Sequence, residues 1–130
     1  MPVWLRLREI EYFLHLTINE DGGVHGKIDS NRLEATLARP QHLLAYRPES
    51  TVQELAAAYG FGFARDHCFA DGNKRVALMS IDVFLDCKGY EFSPPEEEAV
   101  VIITEVAAGE LEEPALASWI QENSNPKDSP

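Results

Sequence analysis

The sequence predicts an all-α domain, and three observations carry that prediction. Apolar residues recur at three- and four-residue steps along most of the chain. Helix start and stop signals punctuate it at helix-length intervals. Runs that alternate apolar and polar residues are scarce. The first helix, about residues 6–19, carries Ile10, Phe13, Leu14, Thr17 and Ile18 on one face, and Asp21-Gly22-Gly23 ends it. A second begins near Asp29 to Asn31, with Asn31 and Glu34 spaced as a capping pair, runs through Leu33 and Leu37, and stops before Pro40. Residues 40–50, with two prolines, read as a loop or short hairpin. Thr51-x-x-Glu54 is a capping box that opens a helix through Leu55, Ala58, Tyr59 and Phe63, broken by residues 68–72. From about Asn73 to Lys88 the pattern is that of a buried helix ending at Gly89, and Tyr90-Glu91-Phe92 is short and extended. Ser93-Pro94-Pro95-Glu96 starts a helix that stops at Gly109, and a last helix covers about 114–122.

A chain of 130 residues is one domain's worth of sequence. The expected domain is 1–122, with a polar, proline-bearing tail at 123–130 that is expected to be disordered. Eleven basic against 22 acidic residues give a net charge of −11, which argues against nucleic acid as the main partner. No apolar run approaches the roughly 20 residues of a membrane span, and the first residues lack the pattern of a secretory signal. Cys68 and Cys87 have no framework spacing and suit a reducing cytoplasm. Glu91 to Pro126 holds nine acidic residues and no lysine or arginine, so chemistry on anions belongs to the balanced first part.

One segment there stands apart: His67-Cys-Phe-Ala-Asp71-Gly-Asn-Lys-Arg75. It lies between two predicted helices, and the second begins at Gly72 or Asn73. The first backbone N–H groups of a helix have no partner within it, and with the helix dipole they form an anion site. Gly72 allows close approach of an oxyanion, Asn73 offers an amide donor, and Lys74 and Arg75 add charged donors. Asp71 is a hard oxygen ligand suited to Mg²⁺ shared with nucleotide phosphates. The imidazole of His67 can act as general base toward a hydroxyl. Lys-Arg at a helix start opposes the dipole, a broken local rule that makes sense where an anion is bound. Phe69 is expected to point inward and anchor the loop. Other motifs fail: there is no Walker-type P-loop, and Gly60-x-Gly62 lacks a third glycine and a preceding strand.

His67-x-Phe69-x-Asp71-Gly72-Asn73-Lys74-Arg75 closely resembles the signature of the Fic/Doc family, and its lysine resembles the Doc ("death on curing") toxin branch. Gly22-Gly23 with Gly26, Leu33-Glu34-x-x-Leu37-Ala38-Arg39-Pro40-Gln41, and Val76 through Gly89-Tyr90 extend the resemblance over about residues 10–122. It implies a compact helical Fic fold with the motif loop between two central helices and a short flap upstream, at about Ala45–Thr51. It implies His67 as the catalytic base and Asp71 as the Mg²⁺ ligand, with Gly72, Asn73, Lys74 and Arg75 binding phosphates. Members that transfer nucleotidyl groups have Gly-Asn-Gly-Arg-x-x-Arg; here Lys74 replaces the second glycine and Leu78 the last arginine. In the Doc branch this implies a reversed ATP and phosphorylation of a Ser/Thr hydroxyl on a translation protein of the elongation factor Tu type. It also implies a toxin restrained by a cognate, Phd-like antitoxin.

Ser118-x-x-x-Glu122-Asn123 has the spacing of an inhibitory pattern, but its usual arginine partner is absent, so simple packing of the last helix is the expectation. The rival readings are AMP or UMP transfer through the same site, and a module that binds an antitoxin without catalysis.

Overall fold

The computed structural model describes residues 4–6, 8–13, 29–69 and 72–127. The described parts are helical apart from one small ribbon. A first helix, α1, is described over 8–13, followed by α2 (Ser30–Tyr46), α3 (Val52–Arg65) and α4 (Asn73–Cys87). Strand β1 (Tyr90–Phe92), helices α5 (Glu96–Ala107) and α6 (Glu113–Glu122), and strand β2 (Ser124–Pro126) complete the order. The all-α expectation therefore holds. The remainder of the first predicted helix and the Gly22–Gly26 turn lie outside the described residues.

Helix α3 is the axis of the domain. Ten of its 14 residues are buried, and it packs against α2, α4, α5 and α6. A helix can be apolar on every side only if it is surrounded, and the run Leu55-Ala-Ala-Ala-Tyr59 meets that condition. The Thr51–Glu54 capping box forms as predicted, with Glu54 N donating to Thr51 Oγ1 at 3.1 Å and Thr51 N donating to Glu54 Oε1 at 2.8 Å.

Small residues let the neighbours approach. A Cβ on Gly60 would lie 2.4 Å from Ile81 Cδ1 of α4, and one on Gly62 would lie 2.7 Å from Arg39 Cδ of α2. Gly60-x-Gly62 is thus a packing device, one glycine toward each flanking helix. Near the other end of α4, Phe84 meets Tyr59 edge-on at 5.2 Å and stacks on Trp4 at 6.1 Å. The Tyr59 hydroxyl accepts the Leu5 amide at 2.9 Å, which ties the N-terminal segment to α3. Burial pushes that phenol up to about 12, so it stays protonated in this role.

Two expectations about α2 are corrected. Its cap is Asp29, whose carboxylate accepts the Arg32 amide at 3.1 Å, and not Asn31. The helix also runs through Pro40 to Tyr46 where a loop or hairpin was expected. An interior proline loses one helical hydrogen bond and costs about 3 kcal/mol. Pro40 is buried, and Leu43 and Leu44 beyond it pack on the core. Both leucines are half-buried, and with complete burial worth about 1.5–3 kcal/mol each, their partial burial offsets much of that cost. The flap segment accordingly comprises the end of α2, a turn in which Ser50 N and Oγ both donate to Arg47 O, and the cap of α3.

The disordered tail is corrected over 123–127. Strand β2 pairs antiparallel with β1 in the register Tyr90–Pro126, Glu91–Asn125 and Phe92–Ser124. Ser93 N donates to Asn123 O at 2.9 Å, Lys127 N to Gly89 O at 2.8 Å, and the Lys127 ammonium pairs with Asp86. Composition had suggested no partner, but Tyr90–Phe92 offers an open strand edge, and edge pairing is indifferent to side-chain polarity. Residues 128–130 lie outside the described part. Ser118 and Glu122 are exposed on α6, consistent with plain packing of that helix.

The segment after α3 is gripped from α2. Cys68 O accepts the Asp29 amide at 2.7 Å, and Thr36 Oγ1 donates to Asp66 Oδ2 at 2.7 Å while lying 3.4 Å from Cys68 Sγ. Burial, reinforced by the nearby Asp66 and Asp29 carboxylates, pushes the Cys68 thiol up, whereas Cys87 is exposed. An aromatic disulfide reagent applied to the native protein is expected to titrate Cys87 rapidly and Cys68 only after unfolding; equal rates would contradict this burial. Gly60→Ala is expected to lower stability by about 1–3 kcal/mol, since Ile81 is itself fully buried and must shift. Thermal and urea unfolding followed by circular dichroism would measure it.

Candidate active site

Helices α3 and α4 are antiparallel neighbours joined by only seven residues, and the motif occupies this connection. Helix α3 ends at Asp66, which adopts right-handed geometry, and His67 then takes φ of 52°. Among non-glycine residues this left-handed region is uncommon, and histidine is one of the types that tolerates it. Its effect is to reverse the chain at the end of α3, leaving His67 exposed while Cys68 and Phe69 turn into the core. Phe69 stacks on Phe63 of α3 with ring centres 6.4 Å apart and planes 6° from parallel. The expectation that Phe69 anchors the loop is correct.

The other side of the loop is closed by Asn73. Its Oδ1 accepts the Phe69 amide at 3.2 Å and its Nδ2 donates to the Phe69 carbonyl at 2.8 Å. This reciprocal pair makes Asn73 a clamp on the loop as well as part of the site. The asparagine amide carries two hydrogens, and the loop takes one of them. The spacing that permits the clamp, four residues from Phe69 to Asn73, is present in the sequence.

Gly72 precedes α4 with φ of 86° and ψ of 6° and, as glycine, supplies no side-chain cap. The first turn of α4 holds no acidic residue, in contrast to Glu96, Glu97 and Glu98 at the start of α5. An acidic first turn is the ordinary way to complement the dipole, so α5 is an ordinary helix start and α4 is not. Lys74 and Arg75 are both exposed there.

His67, Gly72, Asn73, Lys74 and Arg75 line one cavity of about 830 Å³. That volume is within the range of cofactor and nucleotide sites. Five of the six predicted site residues are therefore brought together, and the sixth, Asp71, lies outside the described residues. The far wall is apolar, from Leu78 and Met79 of α4 and Ala99, Val100 and Ile103 of α5, with Glu96 at its edge. Sequence reasoning missed this wall: α5 shows the helical spacing of Val100, Ile103 and Val106, but nothing in that spacing says which face meets α4. No residue of the 45–51 flap segment is among the described lining residues, and neither is Ser118 or Glu122.

The arrangement sets an imidazole beside a cationic helix start and an apolar wall. No group of three or more His, Cys, Asp or Glu side chains converges among the described residues. A divalent ion held here would take most of its ligands from the bound anion and few from the protein.

A model of the Fic/DOC family matches residues 4–85. Over 105 residues the chain is 34% identical to "Protein kinase doc" of Escherichia phage P1, an alignment covering 80% of this chain and 82% of that protein. Both matches include the loop that carries His67 and the first turn of α4. The chain belongs to the Fic/DOC family.

Proposed function

We propose that this protein is a Doc-like toxin that transfers the γ-phosphoryl group of ATP to a serine or threonine hydroxyl of a translation protein, of the elongation factor Tu type. The observation that carries the reading is that His67 and the cationic first turn of α4 line one cavity. The relative from phage P1 supports it by its name, a protein kinase. Leu78 supports it too, because it lines the cavity at the position where nucleotidyl-transferring members carry an arginine.

In this reading the triphosphate lies against the amides that open α4. Lys74 and Arg75 neutralise its oxygens, with one N–H of Asn73 available to it. The acceptor oxygen bonds to the γ-phosphorus and the bond to the β–γ bridging oxygen breaks, so that ADP leaves with the electron pair. His67 takes the hydroxyl proton. Positioning and charge neutralisation supply most of the catalysis. Mg²⁺ would be held by Asp71 together with the phosphates, where it lowers the charge that the nucleophile meets. A carboxylate one residue before the α4 N-cap and a single-carboxylate demand are compatible. A Phd-like antitoxin belongs to the same proposal, since an unrestrained toxin would harm its host.

ATP labelled at the γ position is expected to label purified elongation factor Tu, and ATP labelled at the α position is not. Label arriving from the α position would establish nucleotidyl transfer instead. His67→Ala is expected to lower the rate by about 10²–10⁴-fold and to abolish growth arrest. Unchanged arrest would favour a non-catalytic binding module. Lys74→Ala is expected to lower kcat/KM for ATP by about 10–100-fold, consistent with loss of a charge-assisted phosphate contact, measured at fixed target concentration.

A further inference from the structure

His67 lines a second cavity. It measures about 440 Å³ and is bounded by Arg32 and Ala35 of α2 and by Arg65, Asp66 and His67 at the end of α3. Among the described residues, His67 is the one lining residue that the two cavities share. A base that removes a proton from an attacking hydroxyl must touch both the acceptor and the space next to the phosphorus. A side chain shared by an anion cavity and a neighbouring groove meets that requirement.

The groove has a chemical character of its own. Asp66, the carboxylate in its lining, is occupied by Thr36 Oγ1 at 2.7 Å. Arg32 is exposed; its Nε lies 3.4 Å from Asp29 and its Nη1 donates to the Asp66 carbonyl at 3.4 Å, and no bond from its Nη2 to a described residue is seen. Arg65 lies over the Phe61 ring at 5.0 Å, and its Nη1 is buried with no hydrogen-bond partner. Its ion pair among the described residues is long, 4.0 Å from Nη1 to Glu112, which is itself largely exposed. On a chain of net charge −11, two arginines lining one small groove are a local exception.

We propose that this groove docks the acceptor segment of the target and selects one that carries a carboxylate beside the serine or threonine to be modified. The inference rests on the transferase reading above and specifies its substrate. Arg32 supplies the accessible charge, and Arg65, held against Phe61, adds a fixed positive charge beside it. His67 sits at the end of the groove, where the acceptor hydroxyl meets the phosphate cavity.

The test uses the full chain with γ- and α-labelled ATP on an array of serine- and threonine-centred peptides bearing acidic, neutral or basic flanks. Peptides with an acidic flank are expected to be labelled best. Arg32→Glu is expected to raise KM for the acidic peptides about tenfold or more, corresponding to about 1.4 kcal/mol, while KM for ATP stays as it was. Arg32→Lys, which keeps the charge, is expected to retain the preference and shows that the glutamate variant did not act through the Asp29 cap. Labelling without an acidic preference, or a preference that survives Arg32→Glu, overturns the groove and leaves the transferase standing. Absence of label from both nucleotides on every peptide overturns the transferase and the groove together.

Discussion

The site depends on one constraint: seven residues must carry the chain from the end of α3 to the start of α4 and leave the α4 amides facing a cavity. Each residue around His67 is held for that purpose. Asp66 is bonded to Thr36, Cys68 to the Asp29 amide, and Phe69 to Asn73 through both its amide and its carbonyl. The neighbours of His67 on both sides fix the backbone that aims it.

The same constraint explains why α2 continues through Pro40. Thr36, which grips Asp66 and Cys68, and Arg39, which donates to the Ala58 carbonyl and to Glu113 of α6, sit on the turns just before that proline. The two residues lie three apart and so share a face, the face that Gly62 allows to approach α3. A helix anchored to α3 and α6 immediately before a proline loses little orientation at it. The leucines that follow are then delivered to the core. Local propensity argued for a break at Pro40, and tertiary packing decided otherwise.

The motif was the most legible part of the sequence, because its meaning is local. Backbone amides at a helix start, a glycine before them and cations within the first turn act over a few residues, so their spacing along the chain is their spacing in space. The Thr51–Glu54 box, the glycine stops at Gly89 and Gly109 and the inward turn of Phe69 were legible for the same reason. What failed to show was non-local. The pairing of β2 with β1 joins residues more than thirty positions apart, and the α5 wall of the cavity depends on how α5 is rotated against α4. Asn73 lies between these cases: its position was read as phosphate-binding, and its four-residue spacing from Phe69 also carried a clamp that the sequence motif alone did not distinguish.

Charge at the two helix starts settles how an acidic protein can hold an anionic ligand. The net charge of −11 acts over the whole surface, but beyond a Debye length of about 8 Å most of it is screened at physiological salt. Inside the cavity the near field matters, and there Glu96 is the one acidic residue of the C-terminal third among the described lining residues. Glu97 and Glu98 are not among them, and Glu98 accepts the Trp119 indole N–H at 2.7 Å on the α6 side of α5. Helix α5 therefore turns Ala99, Val100 and Ile103 to the cavity and its other carboxylates elsewhere. An apolar wall also lowers the local dielectric, which strengthens the attraction between an anion and the α4 dipole, Lys74 and Arg75. The rotation of α5, which the sequence alone did not reveal, is thus what allows a motif of cations at a helix N-terminus to work in a chain whose overall charge opposes it.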